Sequence, residues 1–206
     1  MDNVLNITKD RLDALREVGN IGSGNAATAL AQFLNRKIEM TVPNASIMDL
    51  NEIPELVGGV DKPIFGIFLK IMGEISGRFL LMIPETTTKK MLKDLIPNCK
   101  IDSLMHLGEM ESSCMREIGN ILAGAFLNAL SILTQTTMLN SLPSINFDYS
   151  GAMIDNVVAE MTACSDKVLM METSFTEEQE DMRIHIFILP EPDSLKLLLQ
   201  KIGVAS

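Results

Sequence analysis

Arg16-Glu17-Val18-Gly19-Asn20-Ile21 returns as Arg116-Glu117-Ile118-Gly119-Asn120-Ile121, and this recurrence decides how the chain is read. The same offset of 100 residues aligns Gly24 with Gly124, Ala29 with Ala129, Leu30 with Leu130 and Pro43 with Pro143. An internal duplication therefore divides the 206 residues nearly in half. It predicts a single domain made of two repeated halves, approximately residues 8–96 and 102–202.

On a helix, residues three apart lie about 60° from each other, so Glu17 and Asn20 share one face. Leu15, Gly22, Ala26, Ala29 and Phe33 gather on the opposite side, the side expected to be buried. In the second copy Met115, Leu122, Phe126, Ala129 and Leu133 take the buried side while Glu117 and Asn120 look outward. A lone Glu-x-x-Asn on a solvated helix carries little information. Its repetition among glycines carries more, because a glycine inside a helix costs about 1 kcal/mol relative to alanine. Such a cost is accepted where a backbone or a partner must come close. Gly19, Gly22 and Gly24 would serve this in the first half, Gly119 and Gly124 in the second. Leu127 falls beside the second polar face where the first has Ala27, which predicts unequal docking surfaces.

Composition narrows the function classes. A net charge of −10 with only 17 basic residues argues against a nucleic-acid partner. No unbroken apolar run reaches membrane-spanning length, and Asp2 stands where a basic leader would begin, so the chain reads as cytoplasmic. Cys99, Cys114 and Cys164 are odd in number, lack metal spacing and read as reduced thiols. His106 and His185 are too few for a histidine metal centre, and His185 alternates within an apolar run as a sheet residue does. The 15 methionines include Met40, Met48, Met72, Met82 and Met91 at expected core or sheet positions, and they are read as packing residues.

Along the chain, Thr8 or Asp10 is expected to cap a helix running to about Asn35. Strands follow at 36–42 and 45–50 about a Pro43-Asn44 turn, then a short helix at 51–57 capped by Asn51. Residues 64–72 and 74–83 form the best hairpin candidate, around Gly73, before a helix at 85–96. The second half follows the same plan. A long helix begins at Asp102 or Ser103 and ends near Thr134, and short strands at 135–141 and 144–148 precede a helix at 151–160. Strands at 167–175 and 182–189 flank the acidic run 177–181, a solvated turn, and a last helix ends at Ile202. The fold expected is α/β of the α+β type: antiparallel strands about a pseudo-twofold axis, packed with two long motif-bearing helices.

The chemistry open to an exposed Glu and Asn is limited. Asn20 is suited to aiming a water and Glu17 to accepting a proton or holding a partner's cationic group, although proton transfer calls for burial that an exposed face lacks. Ser23 points away from the Glu, and Ser113 has no histidine or lysine companion by spacing. Gly22-Ser23-Gly24 lacks the Lys-Ser/Thr of a phosphate loop. The face reads as a partial active site, completed by what it binds.

The doubled signature Glu17-Asn20-Ile21-Gly24 and Glu117-Asn120-Ile121-Gly124, in two long helices of a chain this length, closely resembles the CheC family of chemotaxis phosphatases, within the CheC/CheX/FliY superfamily. Two motifs set it apart from single-motif CheX-type proteins, and an end at Ser206 from flagellar-switch relatives with an additional domain. The resemblance implies a hydrolase of the aspartyl phosphate on the response regulator CheY. The receiver would supply the phosphoryl aspartate, Mg²⁺ and a lysine, and this chain would hold no cofactor. Asn20 and Asn120 would position the water, Glu17 and Glu117 would engage the receiver lysine, and Gly24 and Gly124 would allow close approach. The resemblance also implies binding of the receptor deamidase CheD around residues 146–156, with Asp148 singled out, and a monomer when unpartnered. A turn residue before Tyr149 is the plain structural reading of Asp148. The non-enzymatic alternative is an adaptor that binds phosphorylated CheY or CheD without turnover.

Overall fold

The computed structural model describes residues 9–34, 37–97, 99, 101–160, 167–177 and 180–202. Thr8, Asn35, Cys164 and the tip of the acidic run at 178–179 lie outside the described residues. Helix α1 (Lys9–Leu34) leads into strand β1 (Glu39–Asp49), a 3₁₀ turn (Leu50–Glu52) and the short helix α2 (Ile53–Leu56). The hairpin of β2 (Pro63–Gly73) and β3 (Gly77–Pro84) is followed by α3 (Glu85–Leu95). After a second 3₁₀ turn (Leu104–His106) come α4 (Glu109–Thr134), β4 (Met138–Asn140), β5 (Ser144–Tyr149) and α5 (Ser150–Ala159). Strands β6 (Lys167–Glu177) and β7 (Glu180–Pro190) and helix α6 (Pro192–Ile202) complete the described chain.

The seven strands make one antiparallel sheet in the order β1-β6-β7-β3-β2-β4, with β5 also paired to β2. Its central strands are apolar on both faces because both faces are covered. On β3, Phe79, Leu81 and Ile83 point into the cluster beneath α1, α3, α4 and α6, while Leu80 and Met82 point into the one beneath α2 and α5. On β7, Ile184, Ile186 and Ile188 take the first side and Phe187 and Leu189 the second. Full burial of Phe65, Phe79, Phe126 and Phe187 contributes about 2–3 kcal/mol each. Helix α4 is long and apolar enough to cross a membrane. Its apolar side, from Met115 through Leu122, Phe126 and Leu130, instead packs into the core.

Several expectations are corrected. Pro43 does not make a turn: β1 continues through it, and the ladder to β6 shifts register between Thr41 and Asn44. An edge strand tolerates this, since proline's missing N–H takes no place in a second ladder. The first 3₁₀ turn starts after Asp49, not Asn51, and the Glu52 carboxylate accepts from the Asp49 N–H at 3.3 Å. Ser103 caps the turn Leu104–His106, and α4 starts later, after the extended Gly108. Phe33 and Met72 are 46% exposed rather than core, whereas Leu127 is buried and belongs to no docking surface. His185 is a buried sheet residue stacked on Phe187, as its alternation implied.

Gly73 ends β2 with φ 125°, and a β-carbon there would run into the carbonyl oxygen of Thr137 beside β4. Gly73→Ala is expected to destabilise the fold by about 2 kcal/mol or more, from backbone strain plus the displaced strand. A lowered urea midpoint at unchanged slope checks this, and an unchanged midpoint contradicts it.

Candidate active site

The two repeated motifs lie on α1 and α4, whose glycines come close against the sheet. A β-carbon on Gly19 would stand 3.1 Å from the Val42 side chain of β1, and one on Gly119 only 2.5 Å from Ile67 of β2. Gly22 lies against the other long helix, where an added β-carbon would meet the Phe126 ring at 2.9 Å and its Cα at 3.1 Å. These three glycines answer to the chain's own packing. Gly24 and Gly124 do not, because nothing lies within 4 Å of a β-carbon built on either. Both glycines border the exposed face that carries the motif.

Glu17, Asn20, Glu117 and Asn120 are all exposed, with Arg16 and Arg116 exposed beside them. Each asparagine is nevertheless tied to a strand. The Asn20 Oδ1 accepts the backbone N–H of Val42 at 3.2 Å. The Asn120 Oδ1 accepts from the side-chain Nδ2 of Asn140 at 3.0 Å. With their oxygens engaged, the amides present Nδ2 hydrogens that have no partner among the described residues. An asparagine so held has its amide hydrogens available to donate.

Strands β1 and β4 stand at opposite ends of the sheet order. At about 4.8 Å per strand spacing, the two tied asparagines are on the order of 20 Å apart. One small reacting group does not reach both. The structure brings each Glu together with its own Asn and keeps the two pairs separate.

Ser23, Cys99 and Cys114 do not supply an activated nucleophile. Ser23 is buried and donates to the Asn20 carbonyl at 2.9 Å. The Cys99 thiol is pushed up by desolvation and by Glu111, whose carboxylate accepts from it at 3.5 Å. Cys114 is raised mainly by burial, so thiolate is scarce at both. Among the described residues no group of three His, Cys, Asp or Glu gathers to hold a metal ion. Asp148 is half-buried on β5 opposite Ile64, and its Oδ1 accepts the N–H of Tyr149 at 2.8 Å. It stands on the side of the sheet away from α1 and α4, directly before α5.

Val42 and Asn140 are the site residues that the helix pattern does not announce. They lie 22 and 20 residues beyond the asparagines they hold, on strands, and no periodicity within a helix points across such a gap.

The CheC-like family profile matches residues 11–47, which contain the first motif. The CheY-P phosphatase CheC of Bacillus subtilis (strain 168) is 37% identical over 203 residues, covering 97% of each chain. Among solved structures, Thermotoga maritima FliY superposes with a TM-score of 0.75 at 19% identity, covering 98% of this chain and 100% of that one. The middle domain of FliM from H. pylori follows at 0.64 and 12%, covering 94% and 99%. At these identities the two structures establish the fold alone.

The glycines give a contrast that melts can read. Gly24→Ala and Gly124→Ala are expected to stabilise by up to about 1 kcal/mol, since a helix gains from alanine where space is open. Gly119→Ala is expected to destabilise by about 1–2 kcal/mol net, as the buried Ile67 methyl has no room to move. Equal melting temperatures for the Gly24 and Gly119 variants would contradict the seating described.

Proposed function

This chain belongs to the CheC family, and we infer from that membership that it is a phosphatase acting on the aspartyl phosphate of a CheY-type response regulator. The observation that carries the mechanism is the pair of exposed asparagines whose carbonyls are tied back and whose amide hydrogens are offered outward. On docking, Asn20 or Asn120 enters the receiver's phosphoryl site and its amide donates to a water, holding it in line. The water oxygen bonds to phosphorus as the bond to the aspartyl oxygen breaks. Inorganic phosphate leaves and the carboxylate is regenerated. Glu17 or Glu117, one helical turn earlier, accepts the receiver's lysine and fixes the approach. Gly24 and Gly124, bare of internal contacts, leave room for the receiver's backbone. The acyl phosphate is already a good leaving group, so positioning supplies most of the acceleration. The divalent ion that such a phosphoryl site uses is assigned to the receiver.

The sheet order supports the duplicated reading. Exchanging β1 for β4 and β5 together, β2 for β6 and β3 for β7 returns the same order reversed, as two halves at about 8–96 and 102–202 related by a pseudo-twofold axis would. The reading carries a cytoplasmic setting and a monomer until partnered. CheD is assigned to the opposite side of the sheet, over residues 146–156 with Asp148. There Asp49, Asp61, Tyr149 and Asp155 help to line a groove of about 840 Å³.

Asn20→Asp and Asn120→Asp retain the oxygen that the strands bind while removing the donated hydrogens, which separates chemistry from stability. Alanine at position 20 would leave the Val42 N–H without its partner, at a cost of about 1 kcal/mol. Each single Asp variant is expected to keep about half of the hydrolysis of phosphorylated receiver, and the double variant to lose about 10²-fold. Undiminished hydrolysis by a folded double variant overturns the catalytic assignment. Receiver binding without hydrolysis by the unaltered chain would instead make it an adaptor.

A further inference from the structure

The two motif asparagines are held by different devices. Asn20 is held by a backbone N–H, which no side-chain substitution short of proline removes. Asn120 is held by the side chain of Asn140. The orientation of Asn140 is itself determined, because the same Nδ2 donates to the Ser141 carbonyl at 3.2 Å. Its segment is clamped to β2: Asn140 stands opposite Ile71, the Ser141 N–H donates to the Lys70 carbonyl at 2.9 Å, and the Lys70 N–H donates to Ser141 Oγ at 2.9 Å. At the other end of β4 the Thr137 N–H donates to the Glu74 carboxylate at 2.9 Å, and the Glu74 N–H to the Thr137 carbonyl at 3.0 Å.

We propose that Asn140 is a positioning residue for the second site, orienting the Asn120 amide so that its hydrogens face the incoming phosphoryl group. This rests on the phosphatase reading above. With Nδ2 of Asn140 aimed at it, the Asn120 amide gains a hydrogen bond in one orientation and meets N–H against N–H in the other. Removing Asn140 frees the amide to rotate. Replacing it by aspartate reverses the preference, since a carboxylate only accepts and draws the Asn120 hydrogens inward. The second site can thus be tuned by one surface side chain, while the first cannot.

The test uses the full chain carrying Asn20→Asp, which silences the first face, and follows single-turnover phosphate release over a range of receiver concentrations. Adding Asn140→Ala is expected to lower the limiting rate about 10-fold, with the half-saturating receiver concentration unchanged. Adding Asn140→Asp is expected to lower it about 10²-fold, to the level of the Asn20→Asp/Asn120→Asp variant. The ¹⁵N-detected side-chain amide signals of Asn120 should shift in both Asn140 variants made on the unaltered chain, while those of Asn20 stay in place. Thermal melts confirm folding. If the Asn20→Asp/Asn120→Asp variant still hydrolyses the acyl phosphate, the phosphatase reading fails. If that variant is inactive while both Asn140 variants match their Asn20→Asp parent, or change only the half-saturating concentration, the positioning role fails.

Discussion

The close seating of α1 and α4 on the sheet is the constraint on which the rest depends. Gly19 and Gly119 leave out the β-carbons that would strike Val42 and Ile67, and Gly22 leaves out the one that would strike Phe126. In helix propensity these three residues cost about 3 kcal/mol together relative to alanine. The loss is offset by the packing it permits, with Leu15, Val18, Met115, Leu122 and Phe126 almost wholly removed from water. At this distance an asparagine side chain on the helix reaches the neighbouring strand, and helix position becomes amide orientation. A helix lifted by one methyl group would leave Asn20 and Asn120 as ordinary solvated side chains.

Each resulting face carries an exposed carboxylate and an asparagine tied to a strand, and on the proposed reading a reacting partner brings the rest. Their surroundings differ. Strand β1 opens with the exposed Lys37–Glu39 ion pair at 2.7 Å, whereas β4 and the turn after it present Leu139 and Leu142, 60% and 90% exposed. The two motif copies thus carry the same polar pair while their rims diverge. Surface positions beside a site can drift in this way, because they carry no buried contact.

The two motif-bearing helices, their exposed polar faces and most elements were legible in the sequence, since these rest on local periodicity and on the recurrence of the motif. The hairpin about Gly73, helices α3, α5 and α6 and the sheet role of His185 stand where pattern placed them. What escaped depends on distant neighbours. Pro43 resembles a turn until β6 is seen carrying the ladder past it. Leu127 resembles a rim residue because an ideal wheel places it beside Glu117, yet the packing of α4 buries it. The grips of Val42 and Asn140 on the asparagines cross 20 or more residues, beyond the reach of helical spacing.

The central claim is that each long helix forms a separate face, and that the two faces act on separate phosphoryl groups. It is tested most directly by calorimetric titration of the unaltered chain with a receiver locked in its phosphorylated form by beryllofluoride. Two receivers bound per chain is the result predicted. Saturation at one receiver, with both motif helices protected from hydrogen exchange in that complex, would contradict it.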